Sequence, residues 1–339
     1  MSAANVSGQA IAELAERSQQ ERWPYTPVMD WLNRAETATV DLPALAAIPV
    51  PQRFAPLDLG AGEIQLPAGS SLLQPQVGVD WTAHAYTLRV PAGCHAEVLL
   101  LSDASEQGQR QIHWKVDRDA QLSIYRLPLW SPSATVFDNW SFEIEQHAKV
   151  HVHELLLGQG MHRNRVVAKL RSEGAQVHWN GLALLGGRSK AVLDMRVEHG
   201  AENTVSRLDL RNALAGRARR SAIGMVHVAP EGQHSDSAQI CRSLLLGAKA
   251  AADMRPELEI FADQVQCAHG ATCGELDQTA LHYLRSRGLD VLTARKLLLE
   301  SFARPLLSEW PEDLQQAIEP ALNQTMQHLG DALAAEVTA

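Results

Sequence analysis

From about His95 to Gln266 apolar and polar residues alternate in short runs, as in Gln111-Ile112-His113-Trp114-Lys115-Val116 and Lys149-Val150-His151-Val152-His153. A period of two is the mark of strands with one face buried. Gly-containing breaks separate the runs. A small motif recurs through them: Ala96-Glu97-Val98, Ala120-Gln121-Leu122, Ala148-Lys149-Val150 and Ala175-Gln176-Val177, with Ala201-Glu202-Asn203 keeping the spacing but losing the aliphatic. His, Gly or Asp often precedes the Ala. Strands and turns repeating at this length suggest stacked coils, a β-solenoid. A β-sandwich with evenly spaced strands fits the same pattern.

The flanks have a different texture. Val6 to Arg22 has helical spacing, with Ile11, Leu14 and Ala15 on one side. Thr26-Pro27 reads as a helix start, with Val28, Trp31 and Leu32 on its buried face. Residues 40–80 are rich in Pro and Gly and read as an irregular connection. After Gly274 the pattern turns helical. Asp277 caps a helix through Leu281 and Leu284 that stops at Gly288, and Asp290 caps a second that runs until Pro305. Leu314, Ile318, Leu322, Met326, Leu329 and Leu333 form an amphipathic stripe, expected to break near Pro320. The division predicted is an N-terminal region 1–80, a strand core 81–274 and a C-terminal helical region 275–339.

Charge narrows the function. Thirty Lys and Arg stand against 39 Asp and Glu, a formal net charge of -9. A general nucleic-acid binder carries a basic excess, so none is expected. No apolar run is long enough to cross a membrane, and the first residues, with Glu13 and Glu16, do not read as a secretory leader. A reducing, cytoplasmic setting follows, in which Cys94, Cys241, Cys267 and Cys273 are free thiols. Enzyme signatures are missing: there is no phosphate-binding loop, no Gly-x-Ser-x-Gly and no paired Cys-x-x-Cys. His153-Glu154 starts like a zinc-protease helix, but Leu157 stands where a second His is required.

Three constellations could carry chemistry. In Cys267-Ala268-His269-Gly270-Ala271-Thr272-Cys273, Cys267 and His269 fall on one side of a strand. A thiolate beside an imidazole suits iron or zinc. Two ligands do not close a site, so others would come from elsewhere, Cys273 joining if a turn at Gly270 brings it back. Read locally, a packed Cys and a hydrogen-bonded His explain the pair as well. His151 and His153 share another strand face and read as a surface ladder. Arg217, Arg219 and Arg220 could hold a phosphate or an acidic partner, or form a solvated turn. Scattered carboxylates (Asp117, Asp119, Glu143, Glu145, Asp194 and Glu198) leave room for a β-solenoid carbohydrate-active enzyme, though no motif ties them together.

An ordered series of motifs then points to a family. It runs through Ser235-Asp236-Ser237-Ala238-Gln239, Arg255-Pro256-Glu257-Leu258-Glu259-Ile260-Phe261-Ala262-Asp263, Val265-Gln266-Cys267-Ala268-His269-Gly270-Ala271-Thr272 and Tyr283-Leu284-Arg285-Ser286-Arg287-Gly288. The series resembles the C-terminal half of the SufB/SufD family of iron–sulfur cluster assembly scaffolds. Trp23-Pro24-Tyr25-Thr26-Pro27 is similar to the family's N-terminal signature, with Pro24 replacing Lys. About a quarter of the chain is motif-specific. The Cys-x-His-Gly-Ala-Thr form is similar to the SufD branch.

The resemblance implies a right-handed parallel β-helix core with helical N- and C-terminal regions. It implies a non-catalytic subunit that pairs with SufB through the β-helix, or with itself in isolation. It implies that the C-terminal region docks the ATPase SufC, which would hold the ATP, with Tyr283, Arg285, Arg287, Leu298 and Phe302 as the contact residues. Cys267 and His269 would lie at the SufB interface. There they would meet iron or a nascent cluster in passing, with no cofactor held stably by this chain alone.

Overall fold

The computed structural model describes residues 48–60, 62–74, 84–102, 107–130, 134–158 and 160–337. The helices expected from Val6 and from Thr26 lie outside these residues. Among the described residues the chain is mainly β, with 17 strands in two sheets followed by three helices. The early strands are β1 (Ala55–Pro56), β2 (Glu63–Gln65), β3 (Gly69–Leu73), β4 (His84–Val90), β5 (His95–Ser102) and β6 (Gln107–Val116). The central ones are β7 (Gln121–Trp130), β8 (Thr135–Ile144), β9 (Lys149–Gly158), β10 (Met161–Leu170) and β11 (Gln176–Leu185). The last are β12 (Lys190–His199), β13 (Val205–Leu214), β14 (Arg219–Val228), β15 (Asp236–Leu245), β16 (Ala251–Ile260) and β17 (Gln266–Gly274).

Odd-numbered strands form a nine-stranded sheet and even-numbered strands an eight-stranded one, each in sequence order. Every pairing is parallel, as in β9–β11, where His151 faces His178, and β15–β17, where Gln239 faces His269. The chain therefore winds as a solenoid, one strand per sheet per coil. This decides between the two architectures that the alternation allowed: it is a parallel β-helix. Sheet pairing starts at Ala55, within the Pro- and Gly-rich stretch.

The recurring Ala marks one corner of each coil. Asp119, His147, Gly174 and Asn203 have φ between 56° and 69°. A left-handed residue there lets the chain turn from one sheet to the other, which explains why Gly, Asn, Asp or His fills the place. Each donates its N–H to the next coil: Asp119 to Gln146 O at 2.9 Å, His147 to Glu173 O at 3.0 Å and Asn203 to Gln233 O at 3.0 Å. The residue that follows, Ala120, Ala148, Ala175, Thr204 or Ser235, is fully buried, so it must be small. Ala96 and Ala201 are out of this register. Ala96 pairs with Leu122, and the true counterparts of Ala120 are Cys94 and Thr204. The error arises because the coils lengthen towards the C-terminal end, so a fixed letter drifts off a fixed corner.

The inward faces fill the solenoid. Leu122, Ile124, Val150, Val152 and Val177 meet Ile112, Trp140, Phe142 and Val166 across its interior. Trp114 stacks on Phe142 at 6.0 Å, and Trp140 leans on Trp179 at 5.8 Å. Trp114, Phe142 and Trp179 are wholly buried. Aromatic pairs add about 0.5–1.5 kcal/mol each beyond burial.

The helices are α1 (Gln278–Ser286), α2 (Val291–Leu307) and α3 (Glu312–Val337). Asp277 and Asp290 cap α1 and α2 as expected, Asp290 Oδ1 accepting from Leu292 N at 3.0 Å. The break expected at Pro320 does not occur: α3 runs through it. Pro320 is exposed, so the backbone acceptor freed four residues earlier can be met by water, while Leu314, Ile318, Ala321 and Leu322 pack on both sides of the site. Helices α2 and α3 lie on the outer face of the nine-stranded sheet, where Leu299, Leu306, Trp310 and Met326 meet Leu155, Leu157, Leu182 and Leu184.

Candidate functional site

The solenoid ends at β16 and β17, which lie last in their sheets. Each therefore has one edge of backbone N–H and C=O groups without a strand partner among the described residues. Most residues of β17 are exposed, and no residue of β16 is fully buried. Ile240, Ile260 and Phe261 are exposed near this end, Phe261 at 63 %. An open edge with apolar residues beside it is a surface built to be covered.

Cys267 and His269 sit in β17 on the side that continues the solenoid interior. The in-register rows make this explicit: Ser206, Ser237 and Cys267 form one inward row, and Leu208, Gln239 and His269 the next. The buried members of these rows include Ser237 at 1 % and Gln239 at 2 % exposure. Cys267 is half-buried and packs against the interior cluster, whereas His269 is exposed. Burial pushes the Cys267 thiol up, and a backbone hydrogen bond from Ser237 works the other way.

Beneath them the interior is polar. His199 bridges Thr204 Oγ1 and Ser206 Oγ, each at 2.8 Å, and Ser206 donates to Ser237 at 2.8 Å. Cys241 lies inward, one coil below Ala271, and its thiol is pushed up to about 11 by burial.

The strand does not turn at Gly270. β17 continues to Gly274, so Cys273 lies six residues on from Cys267, roughly 20 Å along an extended strand. It cannot complete a site with Cys267. Among the described residues, no three His, Cys, Asp or Glu side chains are placed to hold a metal ion together. Cys267 and His269 would offer two ligands, and any others would come from a covering chain.

The other candidates part company in the fold. His151 and His153 do share the outer face, but they are not a surface ladder. His153 is 5 % exposed, stacked on Tyr125 at 5.2 Å and edge-on to Trp310 at 6.2 Å. His178 joins them from the next coil, 4.6 Å from His151 between ring centres. His153 is buried while His151 and His178 are half-buried, and the local sequence gives no sign of this because Trp310 reaches His153 from far along the chain. Arg217 and Arg219 are exposed at a corner, but Arg220 points inward, is 2 % exposed and faces Glu154 at 3.7 Å.

Three of the scattered carboxylates are held by arginines, Asp117 by Arg89 at 2.8 Å, Glu143 by Arg171 at 2.6 Å and Glu198 by Arg196 at 3.0 Å, and Glu145 accepts from Ser172 Oγ at 2.8 Å. On the helices, Tyr283, Arg285 and Arg287 are exposed, with Arg287 over the Tyr283 ring. Leu298 and Phe302 are half-buried, and Arg211 Nη1 donates to Phe302 O at 2.7 Å. Leu292 and Leu297, each 42 % exposed, add apolar side chains to the surface of α2.

Comparison with known proteins places the whole arrangement. Residues 76–302 match the SufBD core domain of the SUF system of iron–sulfur cluster assembly. The chain is 28 % identical over 253 residues to the iron-sulfur cluster assembly protein SufD of Escherichia coli K12, covering 72 % of this chain and 59 % of the relative. It is 32 % identical over 160 residues to a SufBD family protein of Synechocystis, covering 46 % of this chain and 34 % of that one. Over 88 residues it is 39 % identical to the chloroplastic protein ABCI7 of Arabidopsis thaliana, 26 % of this chain and 18 % of the relative. The chain thus matches about six-tenths of the length of the Escherichia coli protein and less of the others. With its core domain matched over most of its length and its strands wound as a parallel β-helix, the chain belongs to the SufBD family and is SufD-like.

Proposed function

We propose that this chain is a scaffold subunit of an iron–sulfur cluster assembly complex, without catalysis of its own, and that it works through the uncovered end of its solenoid. The observation that carries the reading is the pair Cys267 and His269, set in the inward rows of the last strand beside two unpaired sheet edges. A second solenoid of the SufB type, adding strands at β16 and β17, would cover both edges and bring further ligands to the same place. Iron or a growing cluster is cargo at that junction. Cys267 would act as a thiolate donor once a cation offsets the cost of its burial, and His269 would donate through a neutral imidazole.

The C-terminal helices supply the second contact. Tyr283 on α1 and Leu292 and Leu297 on α2 are exposed apolar side chains, with Arg285 and Arg287 near Tyr283, a combination suited to an ATPase partner of the SufC type. A solenoid whose coils are hydrogen-bonded one to the next is stiff. Movement of the partner on ATP could pass through α2 and α3 to the open end, provided that the two states differ in their contacts. Such a complex would work in the cytoplasm.

Co-purification with SufB and SufC, with and without residues 275–339, tests the division of labour. Loss of SufC alone from the truncated chain is expected. Failure of the intact chain to bind either partner would overturn the reading. His269→Ala is then expected to abolish cluster assembly in an intact complex, and unchanged assembly would make the pair inert. The carbohydrate-enzyme reading has no comparable support, since Asp117, Glu143 and Glu198 are each committed to an arginine.

A further inference from the structure

Over the last coils of the solenoid the two edges carry opposite charge. On the edge where the chain passes from the nine-stranded to the eight-stranded sheet, three successive coils turn through Gly187-Arg188-Ser189, Gly216-Arg217-Ala218 and Ala248-Lys249-Ala250, and Arg219 opens β14. Arg188, Arg217, Arg219 and Lys249 are all exposed, and no carboxylate lies in these turns. None of the four is in an ion pair among the described residues. Most arginines on the sheet faces, by contrast, are paired, including Arg89, Arg196, Arg207, Arg242 and Arg255.

The turns are rigidly stacked. Arg217 N donates to Gly187 O at 2.7 Å and Arg219 N to Ser189 O at 2.9 Å, while Ser189, Ala218 and Ala250 are buried and anchor each turn. The cations therefore stand in a column at the coil repeat, roughly 4.8 Å per coil.

The opposite edge is the counterpart. Glu173, Glu202, Glu231 and Asp263 project, exposed, from the turns after β10, β12, β14 and β16, again one per coil, and Arg171, which shares the first of these turns, is paired with Glu143. These turns are tied in the same way, as by Gly174 N to Glu202 O at 3.2 Å. A column of anions and a column of cations with one common spacing are complementary along their whole length. A flexible acidic peptide would match that spacing only after losing chain entropy, whereas a second solenoid arrives with it already fixed. A long polyanion is disfavoured by the net charge of -9.

We infer that the basic edge of Arg188, Arg217, Arg219 and Lys249 docks the acidic edge of a second copy of this chain, side by side, in a salt-sensitive contact separate from the open end. Such a contact is head-to-tail and does not close on itself, so it builds short rows instead of one fixed dimer. Exposed pairs are individually weak, so the association is transient and fails when salt shortens the Debye length.

Sedimentation velocity of the full chain over a concentration series, at about 20 mM and about 300 mM salt, tests this. At low salt the weight-average sedimentation coefficient is expected to rise with concentration, and at high salt to stay flat. R188Q/R217Q/R219Q/K249Q should weaken the low-salt association roughly tenfold or more. The matched control K115Q/R196Q/R207Q/R255Q removes the same charge from paired cations on the sheet faces and should associate as the wild type does. R188E/R217E/R219E/K249E and E173K/E202K/E231K/D263K should each fail alone and associate when mixed. A wild type that never associates at low salt, a basic-edge variant that associates undiminished, or a control that fails equally would overturn the inference.

Discussion

Arg126 in β7 reaches across the inside of the solenoid to Asp138 in β8, joining the two sheets by an ion pair with no exposure on either side. Asp138 also accepts from Arg110 Nε at 2.5 Å, His162 Nε2 lies 3.0 Å from its carboxylate, and Arg126 bonds Glu154 as well. The guanidinium groups of Arg110 and Arg126 outweigh the cost of burial and hold the Asp138 carboxyl far below the usual range. Removing one member strands the others in an apolar interior. Asp138→Asn or Arg126→Met should lower the unfolding free energy by about 3–5 kcal/mol. Replacing Arg110, Arg126, Asp138, Glu154 and Arg220 together by apolar residues of like volume leaves no unpaired charge of the set behind and should cost less than either single change. Urea unfolding measures both, and equal costs would show that the network is not a unit.

The clustered histidines His151, His153 and His178 set a pH dependence. Burial lowers His153 and His178 to about 4, against about 6.5 in an unfolded chain, and the mutual repulsion of the imidazoles adds to this. Burial lowers His199 to about 4 as well. Folded pKa values below the unfolded ones mean that the unfolded state binds more protons between pH 6.5 and 4. Stability should therefore fall as pH drops through that window and level off below about 4, as far as these groups are concerned. His153→Phe keeps the stacking on Tyr125 but cannot titrate, so the slope of stability with pH should become shallower. An unchanged slope would place the pH dependence elsewhere.

Much of this was legible in the sequence, and what was not has physical causes. Period-two alternation announced the strands, and Asp277 and Asp290 announced two helix starts, because both signals are local. The repeat was visible but misphased at Ala96 and Ala201, since its fixed element is a backbone conformation at Asp119, His147 and Asn203 and not a letter. Long-range contacts were hidden. Nothing near His153 signals that Trp310 will cover it, and nothing near Arg220 signals Glu154 inside the coil. Cys267 and His269 could be placed on one strand face, but only sheet order shows that this strand is the last.

The cysteines should react in the order of their exposure. Cys273 is exposed, Cys267 is half-buried with its thiol raised by burial, and Cys241 is buried with its thiol at about 11. Thiolate is the reacting form, so a raised pKa and low access act together. Iodoacetamide labelling of the native chain near pH 8, read by mass spectrometry, should modify Cys273 first and Cys267 later. Cys241 should be modified only after unfolding. Early labelling of Cys241 would mean that the last coils open readily.

Gly224 is the tightest point in the interior rows. A Cβ there would stand 2.1 Å from Gln239 Oε1 and 3.3 Å from Leu208 Cδ2. Gln239 is buried in β15, and its Nε2 donates to Glu257 O at 3.3 Å, so its amide has little freedom to withdraw. Gly224→Ala should cost about 1–3 kcal/mol by overpacking. Shortening the opposing residue tests the cause: in a Gln239→Ser background the same Gly224→Ala change should cost much less, because the amide is gone. The coupling matters for the open end, since Gln239 lies in register directly beneath His269. If Gly224→Ala costs the same in both backgrounds, backbone strain and not the Gln239 side chain accounts for the glycine.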